Sequence, residues 1–324
     1  MRMMDEEKED YSGDKSDEVV SFVMDRVERY TEHRDSLYAE RWDEYERLWR
    51  GIWNEEDKVR ESERSRIISP ALQQAIETRQ SEISEAVFGK GEFFDVDGDP
   101  ETANVVRTKL HENFKKDKIR KSVEHIVLMA EVFGTGIGEV IVSEVTEVSP
   151  DSRKMEMTNL VAVGVTEDTR FKVTLKPIHP RNFFIDPNAT TIDDAFGCGT
   201  EEFVSMHHVV KMIEDGVYRK VEISPMSDDN TLSPVQESIT YSDDKVKLVK
   251  YFGLLPSKLI DSLDKDSDEE YEDLFGEDEG RLYDEQYDDL VEALVVIGND
   301  SVLLKVERSP YMMKDRPLVA YQSD

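Results

Sequence analysis

The sequence predicts a mixed α+β fold in which helices come first and antiparallel strands follow. Up to Phe133, apolar residues recur every three or four positions, which is the period of an amphipathic helix. From Ile137 onwards the chain becomes rich in Val and Ile, and residues 171–176 alternate apolar and polar side chains as a half-exposed strand does. We find no internal repeat of fixed period.

The N-terminal region predicts a tail and then a long helix. Residues 1–17 are polar and charged, so we expect a mobile acidic tail. The helix that follows has a first apolar stripe at Val19, Val23, Val27 and Tyr30. The stripe resumes further along as Tyr38, Trp42, Tyr45, Trp49 and Ile52. This second, aromatic part has two interpretations, the core face of the helix or a subunit interface, where Trp and Tyr are enriched.

Three more helices are predicted from their termini. Ser69-Pro70 and Asp99-Pro100 each pair an N-cap side chain with Pro at the first helical position. The first of these helices ends at Gly89, and a last helix runs from about Ile119 to Gly134. The expected buried stripes are Leu72, Ile76, Ile83 and Val87, then Ala103, Val106, Leu110 and Phe114, then Val123, Ile126, Val127 and Ala130.

The strands are predicted from β-branched runs bounded by turn residues. Residues 137–148, 159–165 and 171–179 indicate a small antiparallel sheet. Two later elements are a strand at 202–206 and a short helix at 209–217, and a Ser, Asp and Pro-rich loop or linker at 224–245 follows. Residues 246–255 resume β character, and 293–297 pairs with 302–306 as a hairpin.

The charge of the chain is strongly negative and unevenly distributed. It has 324 residues, with 73 Asp and Glu against 41 Lys and Arg, which gives a net charge of −32. Residues 261–289 alone hold 15 acidic and two basic residues. Because DNA and anionic membranes carry the same sign, general attraction to either is excluded, and sequence-specific DNA binding is not expected.

Compartment signals point to a soluble protein in a reducing interior. Cys198 is the only cysteine, so the chain cannot form an intrachain disulfide. The N-terminus lacks the apolar region of a signal peptide, and no apolar stretch approaches the roughly 20 residues that span a bilayer. Flanked by two glycines, Cys198 is interpreted as a packed small residue and not as a nucleophile.

Motifs for nucleotides, metals and catalysis fail on inspection of their spacing. The glycines at 134, 136 and 138 follow a predicted helix and precede a strand, the reverse of a phosphate-binding loop, so we interpret them as a helix-to-strand corner. The Asp triplets at 95–99 and 264–268 lack the Gly and the bidentate carboxylate of a calcium loop. The six histidines form no metal-binding pair. We therefore expect no catalytic residue, no cofactor and no metal site.

One segment, residues 107–121, runs against the acidic trend. It holds seven basic residues against two acidic ones, among them Lys115, Lys116 and Lys118. One interpretation is contact with a nucleic acid backbone or with an acidic neighbouring subunit. The other is a helix C-terminus whose cations complement the helix dipole.

The order of these features resembles the portal proteins, or head-to-tail connectors, of tailed double-stranded DNA phages, in particular the short-tailed group. The most specific piece is Pro-Arg-x-Phe-x-x-Asp-Pro, within residues 178–189, with His179, Pro180, Arg181, Phe183, Asp186 and Pro187 as its motif residues. The other matching pieces are residues 48–51, 66–70, 133–136, 249–253 and 316–321, so the likeness is spread over about residues 38–324.

The resemblance implies a structural protein that is not an enzyme. Family members form a ring, usually of twelve subunits, at one capsid vertex of the virion, after assembly in the host cytoplasm. The implied partners are the large subunit of the terminase motor, the capsid and scaffolding proteins, a tail adaptor protein, and DNA in transit without sequence specificity; no membrane partner is implied. Asp186-Pro187 resembles a structural turn in which Pro fixes φ and the carboxylate accepts backbone N–H groups.

The resemblance also implies a portal-like domain plan. Residues 18–190 correspond to a wing-like helical region with its small sheet, and 191–245 to a connecting strand, short helix and linker. Residues 246–324 form a β-rich segment with an acidic insertion at 261–289. Because family members are commonly much longer, we expect this chain to be the N-terminal part of one, or one half of a split gene.

Two other classes fit parts of the sequence. An acidic scaffolding or DNA-mimic protein would explain the net charge but does not need the helix-then-sheet pattern. A metal-dependent hydrolase would use the clustered carboxylates, but the sequence offers no recognisable ligand motif.

Overall fold

The computed structural model describes residues 11–52, 69–90, 93–154, 161–226, 244–264, 289–310 and 315–322. Its helices and antiparallel sheets confirm the predicted α+β class. Most of the acidic insertion, most of the 224–245 linker and residues 66–68 of the matched pieces lie outside the described residues. No described helix has the length and apolarity needed to cross a membrane.

The chain forms two compact units whose boundaries differ from those expected from the sequence. Unit 1 combines residues 1–39 with 181–316, and unit 2 combines residues 40–180 with 317–324. The expected divisions near 190 and 245 fall inside unit 1, because strand pairing joins residues far apart in sequence. The chain therefore passes between units within the first helix, after Pro180 and after Arg316.

The first helix, α1, spans Tyr11–Trp49. It starts earlier than predicted, so residues 11–17 are helical and only 1–10 of the expected tail lie outside the described residues. The first stripe packs into unit 1: Val19, Val23 and Val27 are almost completely buried against the larger sheet. Burying each such side chain stabilises the fold by about 1.5–3 kcal/mol before entropy is counted.

Three helices of unit 2 follow: α2 (Ala71–Phe88), α3 (Pro100–Lys116) and α4 (Ile119–Phe133). The Asp99 carboxylate caps α3 by accepting the Thr102 N–H, as predicted. The cap predicted at Ser69 is wrong, because Pro70 occupies the N-cap of α2 and no side chain caps it. Gly134 ends α4 in the left-handed conformation, with φ of 86°, which confirms the predicted corner.

Burial in these helices is less regular than their stripes predicted. Ile76 and Phe88 are buried in α2, whereas Leu72 and Val87 are exposed. Helix α3 buries none of its residues, so the prediction that its apolar stripe is buried is wrong. Helix α4 is the central helix of unit 2, since Ile126, Val127 and Ala130 are buried.

The sheet of unit 2 has three strands in the order β2-β1-β8. Strands β1 (Thr135–Lys154) and β2 (Val161–Ile178) form one long hairpin, where the sequence predicted three shorter strands. Strand β8 (Leu318–Gln322) pairs with the start of β1, with Thr135 opposite Gln322 and Glu139 opposite Leu318. The last described strand therefore forms the third strand of a sheet whose other two strands lie more than 100 residues earlier in the chain.

The sheet of unit 1 has five antiparallel strands in the order β3-β4-β5-β6-β7. Their bounds are Phe183–Ile185, Gly197–Ser205, Lys245–Pro256, Leu290–Gly298 and Val302–Arg308. Helix α5 (Met206–Glu214) follows β4, and α6 (Ser257–Asp264) follows β5. The predicted hairpin of β6 and β7 is confirmed, and its turn places Asn299 and Asp300 at positive φ, which these residue types tolerate.

Side-chain alternation along β5 separates two cores in unit 1. Val249, Tyr251 and Leu255 face the cluster that contains the α1 valines. Val246 and Leu248 point to the other face, where they pack with Val209 of α5. The sheet is therefore covered on both faces, as the mixed burial of β5 requires.

Candidate functional site

The Pro-Arg-x-Phe-x-x-Asp-Pro element lies where the chain leaves unit 2 and enters unit 1. In unit 2, the ring of His179 packs edge-on against Phe133, with centroids 4.8 Å apart. Residues Pro180–Asn182 form a 3-10 turn. In unit 1, Phe183 is buried in β3, and its carbonyl accepts a hydrogen bond from Arg34 Nη1 at 3.2 Å.

Asp186 fixes the turn that follows β3. Its Oδ1 accepts the backbone N–H of Asn188 at 3.0 Å, and its Oδ2 accepts the N–H of Phe196 at 3.3 Å. Its own N–H donates to the carbonyl of Gly197 at 3.0 Å. One short side chain therefore holds the turn and ties it to β4, while Pro187 is exposed at the tip. This is the hydrogen bonding that the sequence led us to expect at Asp186.

A second anchor, Arg316, is the last residue of unit 1, and no role was assigned to it from the sequence beyond its place in the matching piece 316–321. Its side chain is only 4% exposed and faces Glu292, with Nε to Oε1 at 2.7 Å and Nη2 to Oε2 at 3.3 Å. The same guanidinium donates to the carbonyls of Ile192 at 2.6 Å and Ala195 at 2.7 Å. Burial alone would lower the pKa of Arg316, but its bonds to Glu292 outweigh that effect and raise it. In the sequence, Arg316 is marked only as the first residue of that matching piece.

Cys198 lies beside this anchor and is completely buried. Burial raises the pKa of its thiol to about 12, and the nearby Arg316 offsets this only in part. Because the thiolate is the nucleophile, Cys198 is unreactive at neutral pH. This supports its interpretation as a packed small residue.

The aromatic stripe of α1 divides into buried and exposed residues. Trp42 is buried and packs edge-on against Phe133, with centroids 6.5 Å apart. Trp49 is half-buried, whereas Tyr38 and Tyr45 are each more than 40% exposed. The core interpretation therefore holds for Trp42, and the two tyrosines remain candidates for an interface.

The basic segment borders a groove in unit 2 of about 660 Å³, which we call the basic–aromatic groove. Its lining includes Lys90, Phe93, Arg107, His111, Phe114 and Lys115. Of the three lysines singled out in the sequence, only Lys115 lines it. Lys116 and Lys118 are exposed elsewhere, and Lys118 adopts the left-handed conformation between α3 and α4. The lining residue Phe93 was missed because it belongs to no helix or strand.

A buried acidic residue fixes the junction between α3 and α4. The Asp117 side chain is 1% exposed, pairs with Arg170 Nη2 at 3.0 Å and accepts the backbone N–H of Val173 at 3.1 Å. Burial alone would raise its pKa, but Arg170 and the Val173 N–H together hold the pKa of Asp117 below its usual value. The basic segment is thus attached to β2 by its one buried carboxylate.

The described residues contain no group of three or more His, Cys, Asp or Glu side chains placed to hold a metal ion. Within the first Asp triplet, Asp99 caps α3 and Asp95 pairs with Arg107 at 3.4 Å. Those carboxylates have structural partners.

No protein-family model matches the sequence, and no curated protein matches it.

Proposed function

We propose that this chain is a structural subunit of a phage portal, a ring at one capsid vertex through which double-stranded DNA is packaged and ejected. In this role it carries no catalytic residue. The ring docks the terminase large subunit and the tail adaptor, contacts capsid and scaffolding proteins, and assembles in the host cytoplasm before it becomes part of the virion.

The observation that carries the proposal is the Pro-Arg-x-Phe-x-x-Asp-Pro element and the role of its residues in the fold. His179 packs in unit 2, whereas Phe183 and Asp186 are held in unit 1. Each motif side chain with a described contact thus serves a local structural purpose. The element that resembles the portal family most specifically is therefore an architectural one, which supports a structural role.

The charge of the chain supports the same proposal. A channel that lets DNA slide must not bind it, and a ring of subunits that each carry a net charge of −32 repels a polyanion. This repulsion acts at short range, because the Debye length at physiological salt is about 8 Å. DNA can then pass through the channel without being gripped.

The experiment is size-exclusion chromatography with light scattering on the purified chain. The proposal predicts a closed assembly whose mass is about twelve times that of one chain. A monomer or dimer at all concentrations contradicts the proposal and favours the scaffolding or DNA-mimic alternative. A gel-shift assay at physiological salt is the second readout, and tight retention of linear double-stranded DNA would also contradict a sliding channel.

A further inference from the structure

We propose that the basic–aromatic groove of unit 2 binds the acidic, aromatic segment 265–288 of a second copy of the chain. This inference rests on the proposed function, because a ring brings neighbouring copies side by side. It assigns a partner to the groove and a role to the acidic insertion.

The floor of the groove is aromatic. Phe93 stacks on Phe114 with centroids 5.9 Å apart and packs edge-on against Phe88 at 4.9 Å. His111 stacks on Phe94 at 4.3 Å. Aromatic clusters of this kind favour contact with further aromatic side chains, because edge-on and offset-stacked ring pairs attract beyond the area they bury.

One polar atom in this floor lacks a partner. His111 Nε2 is buried, and within the described residues it makes no hydrogen bond. A buried nitrogen without a hydrogen-bond partner destabilises the fold, because it has lost its contact with water. A ligand that supplies a hydrogen-bonding group would recover part of that cost.

The rim of the groove is mainly basic, with four cationic lining residues and the acidic Glu112. Arg107 and Arg120 already have partners, since Arg107 bonds to Asn104 at 3.0 Å and Arg120 pairs with Glu124 at 2.8 Å. Lys90 and Lys115 are exposed at the same groove. A ligand with carboxylates gains from these two lysines without breaking an existing ion pair at either arginine.

Helix α3 also presents uncovered apolar surface. It buries none of its residues, and Val105 and Val106 are 61% and 40% exposed. Amphipathic helices of globular proteins normally cover such a face. The exposed apolar surface and the groove are on one helix, which indicates that α3 packs against a partner.

The sequence of the chain contains a segment with the complementary chemistry. Residues 261–289 carry 15 acidic and two basic residues. Within this stretch, Tyr271 and Phe275 are four residues apart, and so are Tyr283 and Tyr287. Carboxylates for the lysine rim and rings for the aromatic floor are therefore present in one peptide, and rings can also stack on the groove cations.

The segment has the reach to contact a neighbour. It is anchored in unit 1 at Asp264, the last residue of α6, and at Asp289, whose carbonyl accepts the Ser257 N–H at 2.9 Å. The intervening chain, fully extended and returning, projects at most about 40 Å from these anchors. A nucleic acid also offers rings and negative charge, but only the segment is tethered to a neighbouring copy, which raises its local concentration at the groove.

The test is fluorescence anisotropy with a fluorescein-labelled peptide of residues 264–289. The protein is the full chain with residues 265–288 replaced by a Gly/Ser linker of equal length, so that no internal copy competes. We expect saturable binding that Lys90→Glu/Lys115→Glu weakens at least tenfold. The matched control, Lys109→Glu/Lys121→Glu, has the same charge change on exposed lysines outside the groove and changes the affinity less than twofold.

Two further ligands separate the interpretations. A peptide with Ser at Tyr271, Phe275, Tyr283 and Tyr287 keeps its charge and is expected to bind at least tenfold more weakly. If this peptide binds as tightly as the unchanged one, the groove is not the site. The same conclusion follows if Lys90→Glu/Lys115→Glu and Lys109→Glu/Lys121→Glu weaken peptide binding equally. Tighter binding of a single-stranded oligonucleotide, sensitive to Lys90→Glu/Lys115→Glu, also overturns the proposal in favour of nucleic acid.

The outcome is independent of whether rings form. Peptide binding at the groove by a chain that forms dimers or open assemblies and no closed ring would leave this inference standing and contradict the portal proposal. Rings formed by the wild-type chain together with an absence of peptide binding would do the reverse.

Discussion

Arg316 offers the sharpest test of how unit 1 is held together. We predict that Arg316→Met destabilises unit 1 by about 3–5 kcal/mol, the cost of removing one partner from a buried ion pair. The value applies without discount for solvent, because the Arg316 and Glu292 side chains are 4% and 11% exposed. The loss also leaves the carbonyls of Ile192 and Ala195 without their donor.

The assay is urea unfolding followed by far-ultraviolet circular dichroism, with hydrogen exchange of the β4 and β6 amides as a local readout. Lys220→Met is the control, since Lys220 is exposed in the same unit and its replacement is expected to change stability by less than about 0.5 kcal/mol. In Arg316→Met/Glu292→Met, the unpaired carboxylate is gone, so the double variant is expected to recover at least about 1 kcal/mol relative to the sum of the single changes.

A loss for Arg316→Met below about 1 kcal/mol, similar to the control, would refute this reasoning. It would mean that the guanidinium is solvated or replaceable, and that this pair does not anchor the last residue of unit 1.

Three other predictions follow from single groups. Asp186→Ala removes the side-chain acceptor of two backbone N–H groups and is expected to cost about 1–2 kcal/mol; an unchanged melting temperature would count against the anchoring role. Because the pKa of Asp117 is lowered in the folded state, its ionised carboxylate stabilises the fold above about pH 4, and this contribution is lost as the pH falls further. Asp117→Asn should therefore be less stable than the wild type at pH 7, and the difference in melting temperature should narrow in acid. A difference that stays constant with pH would contradict the pairing with Arg170. Cys198 should resist maleimide labelling at pH 7 and react fully in urea; rapid labelling of the folded protein would show that its burial is incomplete.

Local chemistry explains what could be predicted from the sequence. Asp99 before Pro100 and Gly134 after α4 are terminal signals that act within a few residues, and the structure has both. The carboxylate of Asp186 likewise acts on its near neighbours. Such features depend on short-range hydrogen bonds and φ preferences, which can be predicted from a few neighbouring residues.

Long-range pairing explains what could not be predicted. Nothing local indicates that β8 pairs with β1, or that Arg316 reaches Glu292 and two carbonyls near residue 193. The groove also depends on long-range packing, because its lining comes from α2, α3, α4 and the segment between α2 and α3. Its residues become neighbours only when the helices pack. The run of basic residues in the sequence therefore identified Lys115 as a candidate, but it could not identify Phe93.

The central claim is that the chain forms a portal-type ring, and negative-stain electron microscopy of the purified protein tests it most directly. The account predicts ring-shaped particles with a central hole and about twelve-fold symmetry in end views. A field of small particles without a hole, at concentrations where the protein is folded by circular dichroism, would contradict it.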